Sequence, residues 1–87
     1  MSARDFAKIV RATDGRQVLF YVEPEGGDYK LHQIADHGGF LADLTLGFCS
    51  PDADENERRA RLALGAVTTR SADVVVAEVE KIMGGDA

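Results

Sequence analysis

The chain has a single cysteine, Cys49, so no internal disulfide can form. No apolar run approaches the ~20 residues that cross a bilayer, and no charged start followed by an apolar core marks a secretory leader. Together these features lead us to expect a cytoplasmic location. Basic side chains are also scarce: ten Lys and Arg stand against fifteen Asp and Glu, for a net charge of −5. Proteins that bind nucleic acid draw most of their affinity from neutralising phosphates, so this balance argues against that role. Arg4, Lys8, Arg11 and Arg16 form only a weak basic end, mixed with Asp5 and Asp14. At 87 residues the chain has room for one domain, spanning 1–87. A chain of this length buries roughly 60–65% of its unfolded surface, enough to fold alone with little to spare.

What is present is strand pattern first and helix pattern second. In the stretch from Phe40 to Phe48 the even positions Phe40, Ala42, Leu44, Leu46 and Phe48 are all apolar, which predicts a strand with one buried face. We take it as the strand against which the others register. Val18-Leu19-Phe20-Tyr21-Val22 is β-branched and aromatic and predicts another, stopped by Pro24 and by Gly26-Gly27. A further strand is expected over about 28–35, before the turn Asp36-His37-Gly38-Gly39. The first segment reads two ways. Phe6, Ile9, Val10 and Thr13 have helical spacing, yet Asp14-Gly15 between β-rich segments is a hairpin signal, so a strand over about 6–12 is favoured and a helix is the alternative.

Turn chemistry then suggests a register. A two-residue loop at Asp14-Gly15 sets Ile9 opposite Phe20, and four-residue loops at 24–27 and 36–39 set Phe20 opposite Leu31 and Leu31 opposite Leu44. One face then collects Ala7, Ile9, Val18, Phe20, Val22, Tyr29, Leu31, Ala35 and the even positions of 40–48, with Arg11 and Gln33 as polar exceptions. After Phe48, Ser50-Pro51-Asp52 with Glu55 predicts a helix start, and Ala60, Ala63, Leu64 and Val67 form its stripe. A second helix opens near Ser71, with Ala72, Val75, Val76, Val79, Ile82 and Met83 on one side. The expected fold class is α+β: an antiparallel four-stranded meander, β-β-β-β-α-α, with two C-terminal helices on one face.

No motif names a reaction. Arg58, Arg59 and Arg61 follow acids at i, i+4 spacing from Asp54, Glu55 and Glu57, so they read as a self-neutralised helix face. His32, His37, Asp36 and Cys49 are ligand types without a zinc spacing, and no metal site is expected. Neither glycine pair opens a helix, so each is a turn and no phosphate-binding cofactor is expected. The register puts His32 opposite Asp43, which makes the pair the one place where a small enzyme could have its site, but a sheet face lacks the walls of a catalytic pocket.

The outer sheet face is the more informative feature. It is expected to carry Val10, Leu19, Tyr21, Ile34 and Leu41 beside Lys8, Lys30, His32, Asp43 and Thr45. That is more apolar than a face that meets only water. We therefore expect a non-enzymatic binding or regulatory protein, partnered by another protein or by a second copy through Leu19, Tyr21, His32, Ile34, Leu41 and Asp43. The acidic residues Glu23 and Glu25 would contact a basic target, with Asp28, Asp52, Asp54, Glu55 and Glu57 behind them. A nucleic-acid module using Tyr21 with Lys8, Arg11, Arg16 and Lys30 is the alternative. In size, acidity and layout the chain resembles the small inhibitor and accessory proteins of phages and mobile elements, anti-CRISPR proteins among them. That resemblance is one of type, and no motif carries it.

Overall fold

The computed structural model describes residues 6–84. It contains strands β1 (Ala7–Arg11), β2 (Gln17–Glu25), β3 (Asp28–His37), β4 (Phe40–Asp43) and β5 (Leu46–Phe48), then helices α1 (Ala53–Gly65) and α2 (Thr69–Met83). All pairings are antiparallel, in the order β1-β2-β3-β4, with β5 also on β3. The α+β arrangement is the one expected, and residues 7–11 take the strand reading over the helix. The earlier part of that segment, residues 3–5, lies outside the described residues.

The turns differ from the expected ones, and each difference has a physical cause. The first loop has three residues, Thr13-Asp14-Gly15. Ala12 donates to the Arg16 carbonyl at 2.7 Å, Gly15 donates to the Ala12 carbonyl at 3.0 Å, and Gly15 takes φ +97°. This is the common three-residue hairpin with glycine in the left-handed region. The extra loop residue slips β1 by one: Ile9 faces Leu19, not Phe20, and Val10 faces Val18. A one-residue slip reverses every side chain, so Lys8 and Val10 point inward while Ala7, Ile9 and Arg11 point outward. The other two loops are shorter than expected. Gly26-Gly27 and Gly38-Gly39 each have positive φ at both residues, as a two-residue hairpin turn matching the strand twist requires. Strand β2 therefore runs on through Pro24 and Glu25, and Phe20 faces Gln33. These slips are by two residues, so the faces of β2 and β3 are unchanged.

The stretch 40–48 does not organise the sheet. It is an edge line split into β4 and β5, with Phe40 70% and Leu46 48% exposed. At the break, Gln33 donates its side-chain amide to the Leu44 carbonyl at 2.9 Å, which replaces a backbone partner there. The centre is β2 and β3, whose Val18, Phe20, Val22, Leu31 and Ala35 are buried. Against them pack Ala60 and Leu64 of α1, Val67, and Ala72, Val75, Val76 and Val79 of α2. Ile82 and Met83, expected in the stripe, are exposed. Glu80 explains why. It bonds Arg16 and His37 at the end of the sheet, and the helix has passed that end by its last turn.

Each helix is fastened to a set of turns. Asp52 caps α1 by accepting from Glu55, and Ser71 accepts from the Thr68 backbone at the start of α2. The C-terminus of α1 has no basic residue in its last turn; Lys8 reaches over from β1 to donate to the carbonyls of Val67 (3.3 Å) and Gly65 (3.5 Å). Asn56, 1% exposed, accepts from the Ser50 N–H and hydroxyl and donates to the carbonyls of Ser50 and Gly27. Buried groups left without partners cost ~1–3 kcal/mol each, so Asn56→Ala should lower stability by about 3 kcal/mol in urea unfolding. A loss under about 1 kcal/mol would show that water replaces the amide.

Candidate functional site

Among the described residues nothing covers the outer sheet face, because both helices pack on the other side. One cross-strand row carries Ile9, Leu19, Ile34 and Asp43. The next carries Ala7, Tyr21 and His32. On the far side of the first row, Leu41 lies opposite Asp36. Ile9 is 63% and Leu41 75% exposed, while Leu19, Tyr21 and Ile34 are half-buried. Ile9 is absent from the expected surface set and takes the place given to Val10. The one-residue slip at the first loop makes the exchange. Only a three-residue reading of Thr13-Asp14-Gly15 would have found it.

At the centre of this face stands His32. Its ring stacks on Tyr21, with centroids 4.4 Å apart and planes 15° from parallel. Nδ1 lies 2.7 Å from an Asp43 carboxylate oxygen and Nε2 lies 2.7 Å from a Glu23 oxygen. Sequence reasoning put His32 directly opposite Asp43 and in one row with Leu19. In the structure His32 pairs with Tyr21, Ile34 stands between Leu19 and Asp43, and the His32–Asp43 contact is diagonal. Burial of the ring, only 12% exposed, opposes its charge, but the hydrogen bonds to Asp43 and Glu23 outweigh burial and raise the pKa above 6.5. Two carboxylates on two ring nitrogens fit an imidazolium that donates twice. Such a ring has no free lone pair with which to take a proton or bind a cation.

The remaining residues of interest are dispersed. His37 points to the helix side and bonds Glu80 at 3.0 Å, so the two histidines face opposite ways. Cys49 is a free, exposed thiol, and no group of metal-ligand side chains converges among the described residues. Of the basic groups considered for phosphate contact, Lys8 donates to the carbonyls of Gly65 and Val67, Arg16 pairs with Asp14 and Glu80, and Lys30 pairs with Glu25 at 2.8 Å. Arg11 donates to the Gly15 carbonyl. On α1, Glu55 takes both Arg58 and Arg59 and has its pKa lowered to about 2, and Arg61 pairs with Glu57 and lies over the Phe6 ring at 4.3 Å. Arg58 pairs with Glu55, and among the described residues Asp54 forms no ion pair with an arginine, contrary to the expected Asp54–Arg58 pair. Thus Glu23, Glu25, Glu55 and Glu57 each already have a cation or His32, and Asp52 is a cap, leaving Asp28 and Asp54 without ion pairs among the described residues.

A curated protein similar to this chain is an imidazoleglycerol-phosphate dehydratase from Salinispora arenicola (strain CNS-205), 37% identical over 78 residues. The match takes in 75% of this chain, and the chain spans 38% of that protein's length. No family model and no solved structure matches. No helix among the described residues is long and apolar enough to cross a membrane.

The clamp on His32 makes a pH prediction with a definite sign. A raised folded-state pKa contributes stability that is complete below the unfolded value near 6.5 and is lost as pH rises through the folded value. The His32 ring protons should titrate above pH 6.5 by NMR, and melting temperature should fall over that window in the wild type but not in His32→Gln. A midpoint at or below 6.5 would mean that burial prevails over the carboxylates.

Proposed function

We propose that the chain is a non-enzymatic binding protein that docks on another polypeptide through its outer sheet face. The row Ile9–Leu19–Ile34 with Leu41 beside it carries this reading. Among the described residues nothing covers these side chains, while the charged groups among them are already paired: His32 with Glu23 and Asp43, and Lys30 with Glu25. A surface whose polar groups are satisfied internally loses little on desolvation, and its apolar groups gain from being covered. The occupied ring nitrogens of His32 weigh against catalysis there. Small size and a net charge of −5 suit an inhibitor or accessory protein, and the target contacts on this reading are Leu19, Tyr21, Ile34 and Leu41, with Glu25 at the rim.

Leu41→Asp tests the face, with Leu62→Asp as the control on the helix side, since Leu62 is 59% exposed. Substitutions at such exposed sites usually stay within about 0.5 kcal/mol, so all three proteins should melt alike. Proteins retained from extract by the wild type and Leu62→Asp should be lost with Leu41→Asp, and identical retention by all three would remove the reading. The similarity to the dehydratase favours a second reading, in which the chain shares part of that enzyme's framework and binds an imidazoleglycerol phosphate. Saturable heat on titration with that compound would place the second reading ahead of the first.

A further inference from the structure

Among the described residues strand β1 is an edge of the sheet, and its free side is regular and unblocked. Phe6 accepts from the Val22 N–H at 2.7 Å and Ala12 donates to the Arg16 carbonyl, so the even positions of β1 direct their backbone groups to β2. The odd positions Ala7, Ile9 and Arg11 direct theirs outward. Within Ala7–Arg11 there is no proline, no bulge and no glycine. Lys8, the charge that would guard such an edge, is drawn inward to the end of α1. The opposite edge is different. It is split between β4 and β5, and its outward line carries Asp43.

We infer that β1 pairs antiparallel with β1 of a second copy, about a two-fold axis at Ile9, to make one continuous sheet. The register follows from the outward groups. Ile9 forms a mutually hydrogen-bonded pair with the second copy's Ile9, and Ala7 does so with the second copy's Arg11. The two Ile9 side chains then meet on the outer face. Arg11 lies beside the second copy's Ala7, whose small side chain borders an open apolar depression of about 400 Å³ lined by Phe6, Leu19, Tyr21 and Pro24. In the dimer Arg11 gives up its exposed bond to the Gly15 carbonyl, lays its stem on that surface and turns its guanidinium toward the second copy's Tyr21 ring. The strand therefore offers at one end what it receives at the other, as an isologous contact requires. A five-residue edge covers less than the roughly 800 Å² per partner of a standard interface, so the dimer is reversible and concentration-dependent. The inference goes beyond the docking reading and leaves the outer face open: the row Ile9–Leu19–Ile34 continues across the axis into its own copy.

Sedimentation velocity over a dilution series tests it. Ile9→Pro removes only an outward N–H and leaves the β1–β2 ladder whole, and Ile9→Lys places the usual guard on an edge. The wild type should show a monomer–dimer step, weakened about tenfold or more in both variants: in Ile9→Pro by loss of the central hydrogen bonds, and in Ile9→Lys by two like charges set opposite each other at the axis. Circular dichroism should show all of them folded, and Leu41→Asp should dimerise like the wild type. A wild type that is monomeric up to ~1 mM, far above the micromolar range of specific pairs, overturns the inference and leaves the docking face untouched. A dimer that survives both Ile9 variants overturns it too, and if Leu41→Asp abolishes that dimer, the contact belongs to the outer face.

Discussion

The structure depends on one buried amide. Asn56 is the only buried polar side chain among the described residues, and all of its hydrogen-bonding capacity toward protein is used on the Gly26-Gly27 turn region and on Ser50. An apolar contact between helix and sheet tolerates sliding, because the hydrophobic effect has no direction. A buried amide with four partners does not, because every alternative placement leaves some of them unpaired. Asn56 therefore fixes where α1 begins relative to the β2–β3 hairpin. At the other end of the sheet Asp73 accepts from Thr13, and Glu80 takes Arg16 and His37, so α2 is tied to the two remaining hairpin ends. The helical layer is held at both ends of the strands, with apolar packing between and Lys8 of β1 reaching the Gly65 and Val67 carbonyls.

This anchoring leaves the far side of the sheet with a separate character. Its polar side chains are organised among themselves: His32 joins β2 to β4 through Glu23 and Asp43, and its stack on Tyr21 holds the ring flat against β2. Side chains fixed in this way have little rotamer freedom left to lose when something settles on them, and preorganisation lowers the cost of association. Polar groups held in place at the centre with exposed apolar groups at Ile9 and Leu41 make a surface whose shape is largely set before contact.

Much of this was legible in the sequence. The order of elements, the helix stripes as far as Val79 and the inner faces of β2 and β3 followed from period and turn residues, because burial on one side imposes a strict period. What misled was loop length. A Gly-Gly pair fits a turn equally well at the end of a four-residue loop or alone, and those readings differ by an even slip that pattern cannot detect. Asp14-Gly15 was worse, since the three-residue loop differs by an odd slip and exchanged Val10 for Ile9 on the outer face. Alternation gave no help there: Ala7-Lys8-Ile9-Val10-Arg11 has an apolar residue on each side. Asn56 was legible in principle, since it precedes Ala60 and Leu64 at helical spacing and so falls on their stripe. A lone polar residue at that position looks like the end of the stripe.

The order of the elements along the chain has a bearing on synthesis. All the strands precede both helices, so the residues that make the inner face, from Val18 to Phe48, leave the ribosome before any residue that will cover it. Chains grow at ~5–20 residues per second, and Val79, the last core residue, follows Leu31 by 48 positions, so the apolar face waits several seconds for its cover. The tight hairpins allow the sheet to close from local contacts during that interval. What the nascent chain must then avoid is another such sheet, and neighbouring chains on the same message would present one.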